Sequence, residues 1–403
     1  MARLVKILVF LFLPFFGRSQ DKPLVLTHVT VVDVLTGNLS KDVFVTISGG
    51  RITKISPQEP VDRNARFIDA RGKYLIPGLW DMHVHLSFYG EEALSLLVAN
   101  GVTGVRDMGG DLDQLNRWRS DIVSGRRLGP RITRAGPFID GPKKMSAIRA
   151  PLTRIVTTAG EARLLVDSLK EAGVDYLKVH SRLPRTAFFA LAEEAHKRNI
   201  PFAVHLPKDV KPEEASDAGA RSIEHTESLL GDIIYETQEE VREKRTDSAL
   251  NVLYGDAGYR LAAHIAANKN FYDPTLISLY RIKGTSYEAT LGPRLMPVLR
   301  QLYLAHVQLL TGSDFATKEA GIRPGVDLHG ELVLFVKAGM KPVEALQAAT
   351  INPARCLYLD DSLGTVEEGK IADLVLLDDN PLTDIANTKK IHAVILGGRY
   401  LPE

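Results

Sequence analysis

From Gly78 to about Arg355 the sequence keeps returning to one rhythm: a short apolar run, a loop, a helical stretch, then another apolar run. Counting "LIPGLWDMHVHLSF" as the first, the runs are "GVTGVRDMG", "RITRAGPFI", "DYLKVHS", "PFAVHLP", "RSIEHT", "FYDPTLIS" and "LLTGSDFA", eight in all. Two neighbouring strands joined through a helix run parallel, because the crossover returns the chain to the end from which it set out. Eight such units over an interval of this size predict an α/β fold, a (β/α)8 TIM barrel over residues 78–354. One unit shows the local grammar. Thr158 stands three residues before Glu161, a capping-box spacing; Ala162, Leu165, Val166, Leu169 and Ala172 follow at helical period, and Gly173 supplies the stop.

Outside that interval both ends of the chain read as short β runs with Gly and Asp turns, so residues 20–77 and 355–403 are expected to build one small β-sandwich domain together. Residues 1–19 read as a signal peptide. Arg3 and Lys6 precede an apolar run from Ile7 to Phe16 that is too short to span a bilayer, and Gly17 and Ser19 have the spacing of a cleavage site before Gln20. The expected location is therefore exported, periplasmic or secreted, with no membrane association after signal removal. Basic and acidic residues nearly cancel, 50 against 49, which gives no electrostatic footprint for nucleic acid. Cys356 is the single cysteine, so no intrachain disulfide can form.

In a barrel of this kind the reactive groups stand at the C-terminal ends of strands. His83 and His85 close strand one and, two residues apart, share a face of an extended chain. Lys178 is late in strand four, His205 late in strand five, His225 closes strand six and Asp314 ends strand eight. Alternation puts Tyr176 and His180 on the inward face with Lys178, Leu310 and Gly312 with Asp314, and Ile223 with His225. Each residue alone has an ordinary reading: a hydrogen-bonded structural histidine, a snorkelling lysine, a helix-capping aspartate. Six of them at the matching ends of five strands point instead to a metal site.

The motifs "PGLWDMHVHL", "YLKVHS", "VHLP", "SIEHT" and "TGSD", with the tail "ALQAATINPARCLYLDDSLGTVEEGKIADLVLLDDNPL", resemble the amidohydrolase superfamily over nearly all of the mature chain. The resemblance implies two divalent metal ions, with zinc the expected metal. His83, His85 and Asp314 would hold the more buried ion, His205 and His225 the second, and Lys178 would bridge both as a CO2-derived carbamate. An ammonium cannot ligate a cation, so the lysine must first lose its proton, which desolvation favours. Two dications lower the pKa of a shared water, and Asp314 would take its proton and deliver it to the leaving group. Asp81 is expected to support the ligands without ligating.

The branch most similar contains dipeptidases cutting before proline or arginine, together with imidazolonepropionase-like proteins. The chain departs from it twice. Pro207 stands where Xaa-Pro-cleaving members carry a tyrosine, and "FIDGPKKMS" lacks their Gly-His pair, with Lys143 and Lys144 as stand-in anion contacts or simply solvated lysines. Candidate substrate contacts are His180, Arg182, Arg106 and Tyr280, Arg106 having a salt bridge to a loop acid as its alternative role. The expected activity is hydrolysis of an amide-type C–N bond in a small-molecule substrate, a dipeptide or an N-acyl amino acid. A mononuclear deaminase or cyclic-amide hydrolase is the alternative; such deaminases resemble H-x-x-E at strand five, where this chain has Lys208. A non-catalytic binding protein on the same barrel is a more distant alternative, and a homo-oligomer is compatible with every one of these readings.

Overall fold

The computed structural model describes residues 22–62, 64–142, 152–236, 238–281, 286–318 and 321–402. The leader at 1–19 and the Lys143–Lys144 pair lie outside the described residues. None of the described helices is long and apolar enough to cross a membrane.

Both chain ends enter one mixed sheet. Its strands are β1 (Leu24–Val32), β2 (Leu39–Ser48), β3 (Arg51–Ser56), β4 (Arg66–Asp69) and β5 (Tyr74–Pro77) from the N-terminal side, and β16 (Leu374–Leu377), β17 (Ile391–Leu396) and β18 (Arg399–Pro402) from the C-terminal side. The order is β18-β17-β16-β5-β1-β2-β3, with β4 beside β1. Two glycine pairs set the hairpins: Gly49–Gly50 and Gly397–Gly398 all have positive φ, the two-residue turn whose twist matches that of the flanking strands. One face, with Leu24, Leu26, Val29, Val45, Ile47, Leu374, Leu376 and Ile395, buries a single apolar cluster. A bridge from Arg51 to Ile371 ties edge strand β3 to the segment before β16, so the sheet curls over its own apolar face. The other face contributes Val375, Leu377, Ile391 and Val394 to the main core, which joins this sheet physically to the rest of the molecule.

The central strands are all parallel and fall into two ladders. One holds β6 (Leu79–Val84), β7 (Val102–Asp107) and β8 (Arg131–Arg134); the other holds β9 (Phe138–Asp140), β10 (Thr153–Ile155), β11 (Leu177–Val179), β12 (Phe202–His205), β13 (Ser222–Glu224), β14 (Phe271–Asp273) and β15 (Gln308–Leu309). Helices separate most of them, among them Ala159–Glu171, whose capping box between Thr158 and Glu161 is formed in both directions. The run expected as one third strand is two, β8 and β9, because Gly136 between them takes φ 73°. That break is where the ladders part. Isolated contacts cross the seams: Asp175 N–H donates to Arg134 O at 3.0 Å, His85 N–H to Phe315 O at 3.0 Å and Asp314 N–H to His83 O at 2.8 Å.

Inside the strands the side chains form layers. Trp80, Met82, Phe271 and Leu310 close the N-terminal end, packed on Ala354, Cys356 and Leu363. Above them lies a buried ion cluster, and above that the histidines. Tyr176 packs inward with Met108, Ala135 and Ala203, while Leu177 and Val179 join the outer core beneath the helices.

Candidate metal centre

Five strand ends deliver six polar side chains to one place. His83 lies within β6 and His85 just beyond it; Lys178 is the middle residue of β11, His205 the last of β12, and His225 and Asp314 follow β13 and β15. The rings stand in file, with centroid separations of 5.4 Å for His83–His85, 4.4 Å for His83–His225, 4.7 Å for His205–His225 and 5.0 Å for His180–His205. Phe138 lies 5.2 Å from both His85 and His180, which closes the file into a ring of six aromatic side chains. Asp314 serves one arc: its Oδ1 is 3.6 Å from His83 Nε2 and 3.4 Å from His85 Nε2, and its Oδ2 is 3.9 Å from His225 Nδ1.

His225 (φ 67°) and Asp314 (φ 55°) both adopt the left-handed region, which is uncommon for residues other than glycine and is held in place only where the surroundings over-determine it. This corrects one expectation. Ile223 does not share a face with His225: it packs outward in the main core, and Glu224 faces inward beside Arg106. His225 reaches the centre because its backbone turns out of strand alternation. Asp81 accepts from Ser313 N at 2.9 Å and Ser313 Oγ at 2.6 Å and so braces the residue that precedes Asp314.

Burial holds the imidazoles of His83, His205 and His225 well below their ordinary pKa, with Lys178 contributing to each. A neutral imidazole carries one proton. For His83 that proton belongs on Nδ1, 2.9 Å from Glu224 Oε2, which leaves the Nε2 lone pair facing Asp314. His85 Nδ1 likewise donates to the Gly109 carbonyl at 3.1 Å, aiming Nε2 at Asp314. His83 Nε2 and Lys178 Nζ are buried with no hydrogen-bond partner among the described residues. Burial also pulls the Lys178 ammonium down to about 8, towards the neutral amine. The orphaned His83 Nε2 beside a carboxylate fits a divalent cation, and His83, His225 and Asp314 have ligand atoms close enough to share one.

His83, Glu224 and Asp273 form a second such group. It already has its cation: Arg106 Nη2 lies 2.9 Å from Glu224 Oε1 and 3.7 Å from Asp273 Oδ2. This corrects the expected role of Arg106. The guanidinium is 2 % exposed, spends its other N–H groups on Met82 O and Ser222 Oγ, and lies beneath the histidines instead of contacting substrate; its acid partner is a strand residue and not one in a loop. Tyr280 is also displaced from its expected place. It sits on the helix Leu276–Arg281 with its ring against Gly292, 41 % exposed, and among the described residues no ring contact or hydrogen bond joins it to the histidines. His180 is at the site, its Nδ1 3.1 Å from Asp140 Oδ2, and Arg182 follows with its backbone N–H on Asp140 Oδ1 at 2.8 Å.

Sequence reasoning overlooked Glu224, Asp273, Asp140, Glu227 and Phe138. Glu224 and Asp273 carry the same signal as the ligands, a charged residue closing an apolar run. Asp140 and Phe138 carried none, since the split of the third strand hides where they point.

A parallel α/β scaffold that gathers four histidines, an aspartate and a buried lysine from separate strand ends defines the class, a metal-dependent hydrolase. The amidohydrolase family matches residues 74–401, and the chain belongs to that family and is a hydrolase acting on carbon–nitrogen bonds. An imidazolonepropionase of Symbiobacterium thermophilum is 28% identical over 380 residues, covering 81% of this chain and 82% of that one. An imidazolonepropionase of Vibrio cholerae is 25% identical over 405 residues, 93% of this chain and 98% of the other. Among solved structures, a prolidase complexed with N-methylphosphonate-L-proline superposes with a TM-score of 0.77 at 21% identity, covering 95% of this chain and 100% of that chain.

Proposed function

We propose that the chain is a binuclear amidohydrolase that hydrolyses an amide-type C–N bond of a dipeptide or N-acyl amino acid, on a closed (β/α)8 barrel with a β-sandwich at its side. The observation that carries the reading is Lys178 Nζ, buried with no hydrogen-bond partner among the described residues, where desolvation outweighs the pull of the nearby carboxylates and draws the ammonium towards the neutral amine. Such an amine, once deprotonated, could add to CO2 and release a proton, and the carbamate so formed would be an anionic oxygen donor able to help hold divalent metal. In this reading His83, His85 and Asp314 would hold one ion and His205 and His225 the other, zinc being the expected metal. When bound, the ions supply Lewis-acid polarisation of the carbonyl and a water of lowered pKa.

The protein's own groups do the rest. Asp314 accepts the proton of the attacking water and returns it to the departing nitrogen. Glu224, neutralised by Arg106, fixes the His83 tautomer. Asp140 orients His180, which with Arg182 is the proposed contact for a substrate carboxylate.

The likeness to imidazolonepropionases supports a second reading, opening of a cyclic amide at one metal. Zinc titration against turnover separates them. Full activity at two equivalents with dipeptide or N-acyl amino acid libraries, and none with Asp314→Asn, is the expected result. Full activity at one equivalent favours the second reading, and equal turnover by Asp314→Asn overturns the proton path.

A further inference from the structure

Glu227 is an acid at this centre that no part of the mechanism uses. It follows His225 by two residues, at the start of the 3-10 segment Thr226–Tyr235, and its Oε1 lies 3.7 Å from His225 Nδ1. Its Oε2 is enclosed with no hydrogen-bond partner among the described residues, yet the side chain keeps 16% exposure, so it stands between the buried centre and the mouth. The neighbouring acids are engaged. Glu224 meets Arg106 and His83, Asp140 meets His180, Gly141 and Arg182, Asp107 accepts from Leu86 N and Gly109 N, and Asp81 holds Ser313. Asp273 also has oxygens without donors, but it is fully buried in the field of Arg106.

A carboxylate oxygen taken out of water without a donor is costly, and a cation that arrives with N–H groups removes that cost through a charge-assisted hydrogen bond. Glu227 belongs to the arc of His225 and Asp314, whereas His180 lies beyond His205 on the other arc. The ring therefore has an unpartnered acid at one side and, across it, His180 held by Asp140.

We propose that Glu227 is a specificity-determining residue that receives the free ammonium group of the substrate, so that the ligand is a zwitterion carrying an amine near Glu227 and a carboxylate near His180. The inference rests on the amidohydrolase reading above and narrows it: a dipeptide with a free amino terminus fits, and an N-acyl amino acid, which offers one uncharged N–H, does not.

The test uses zinc-loaded full-length protein and two probes, the phosphinic-acid isostere of alanyl-alanine and its N-acetyl derivative, with affinities measured by calorimetry. Wild type should bind the free amine at least about tenfold more tightly, and in Glu227→Gln, which keeps shape and removes charge, that ratio should fall to near one with the acetylated probe unaffected. Equal affinities in wild type, absence of binding included, overturn the proposal. So does a preference that survives in Glu227→Gln, or loss of a zinc equivalent in that variant, which would make the residue a ligand. Hydrolysis of alanyl-alanine itself is measured separately. Amine selectivity through Glu227 without turnover would sink the dipeptide-hydrolysis reading and leave the ammonium site standing.

Discussion

Lys178 and Arg106 are both buried basic side chains, and their surroundings assign them opposite tasks. Arg106 is saturated: a backbone carbonyl, a hydroxyl and a carboxylate take its N–H groups, and Glu224 and Asp273 offset its charge. Replacing it with methionine strands two carboxylates in a dry interior. Arg106→Met is expected to cost about 3–5 kcal/mol, read as a lower apparent Tm, and to weaken zinc binding because Glu224 no longer fixes His83. Lys178 has no such partners. Lys178→Ala should retain the fold, lose one metal equivalent by elemental analysis and most activity, and recover part of that activity with a short carboxylic acid; full activity without the acid would refute the bridging role. The sequence made the histidines, Lys178 and Asp314 legible because a polar residue that ends an apolar run is conspicuous. It misassigned Arg106 because an arginine in β7 looks the same whether it points to solvent or into a cluster of acids assembled from other strands.

The strands that carry these residues are short, several of only three residues, and their ends are set by bends in the backbone and not by side-chain pattern. Gly136 divides the third strand, and the positive φ of His225 turns the sixth inward. Alternation therefore predicts Tyr176 and Leu177 correctly and fails at Ile223. The helix Val326–Lys337 shows how an element is fixed at a distance: its His329 is buried with Nδ1 2.9 Å from Thr388 Oγ1 and Nε2 3.2 Å from Asn100 O, joining it to the segment Ile385–Lys389 beside the chain-end sheet. Burial lowers this imidazole from 6.5 to about 4. Its native pKa lies below the unfolded one, so the unfolded chain takes the proton first as pH falls. Stability from this group is complete above about pH 6.5 and is lost towards pH 4, by on the order of 3 kcal/mol. Across that range Tm should fall with acid in the wild type and fall less in His329→Gln.

The chain-end sheet and the helical layer share one core through Val375, Leu377, Ile391 and Val394, and the candidate cation site gathers residues from separate strand ends. Metal binds the native arrangement and not the unfolded chain, so chelation should both abolish activity and lower the apparent Tm, and zinc should restore both. At a free zinc concentration a thousandfold above its Kd the stabilisation lost is about 4 kcal/mol. An unchanged melting curve with fully removed metal would mean that the cluster is held by protein contacts alone. What the sequence determined by itself is whatever depends on neighbours along the chain: the strand and helix rhythm, the Thr158 capping box, the glycine turns, and which residue types stand at strand ends. Tertiary structure alone decided which of those ends meet. It put Arg106 beneath His83, joined Asp140 to His180 and left Glu227 with an unanswered oxygen, because charge pairing and burial act between atoms that are close in space, however far apart they lie along the chain.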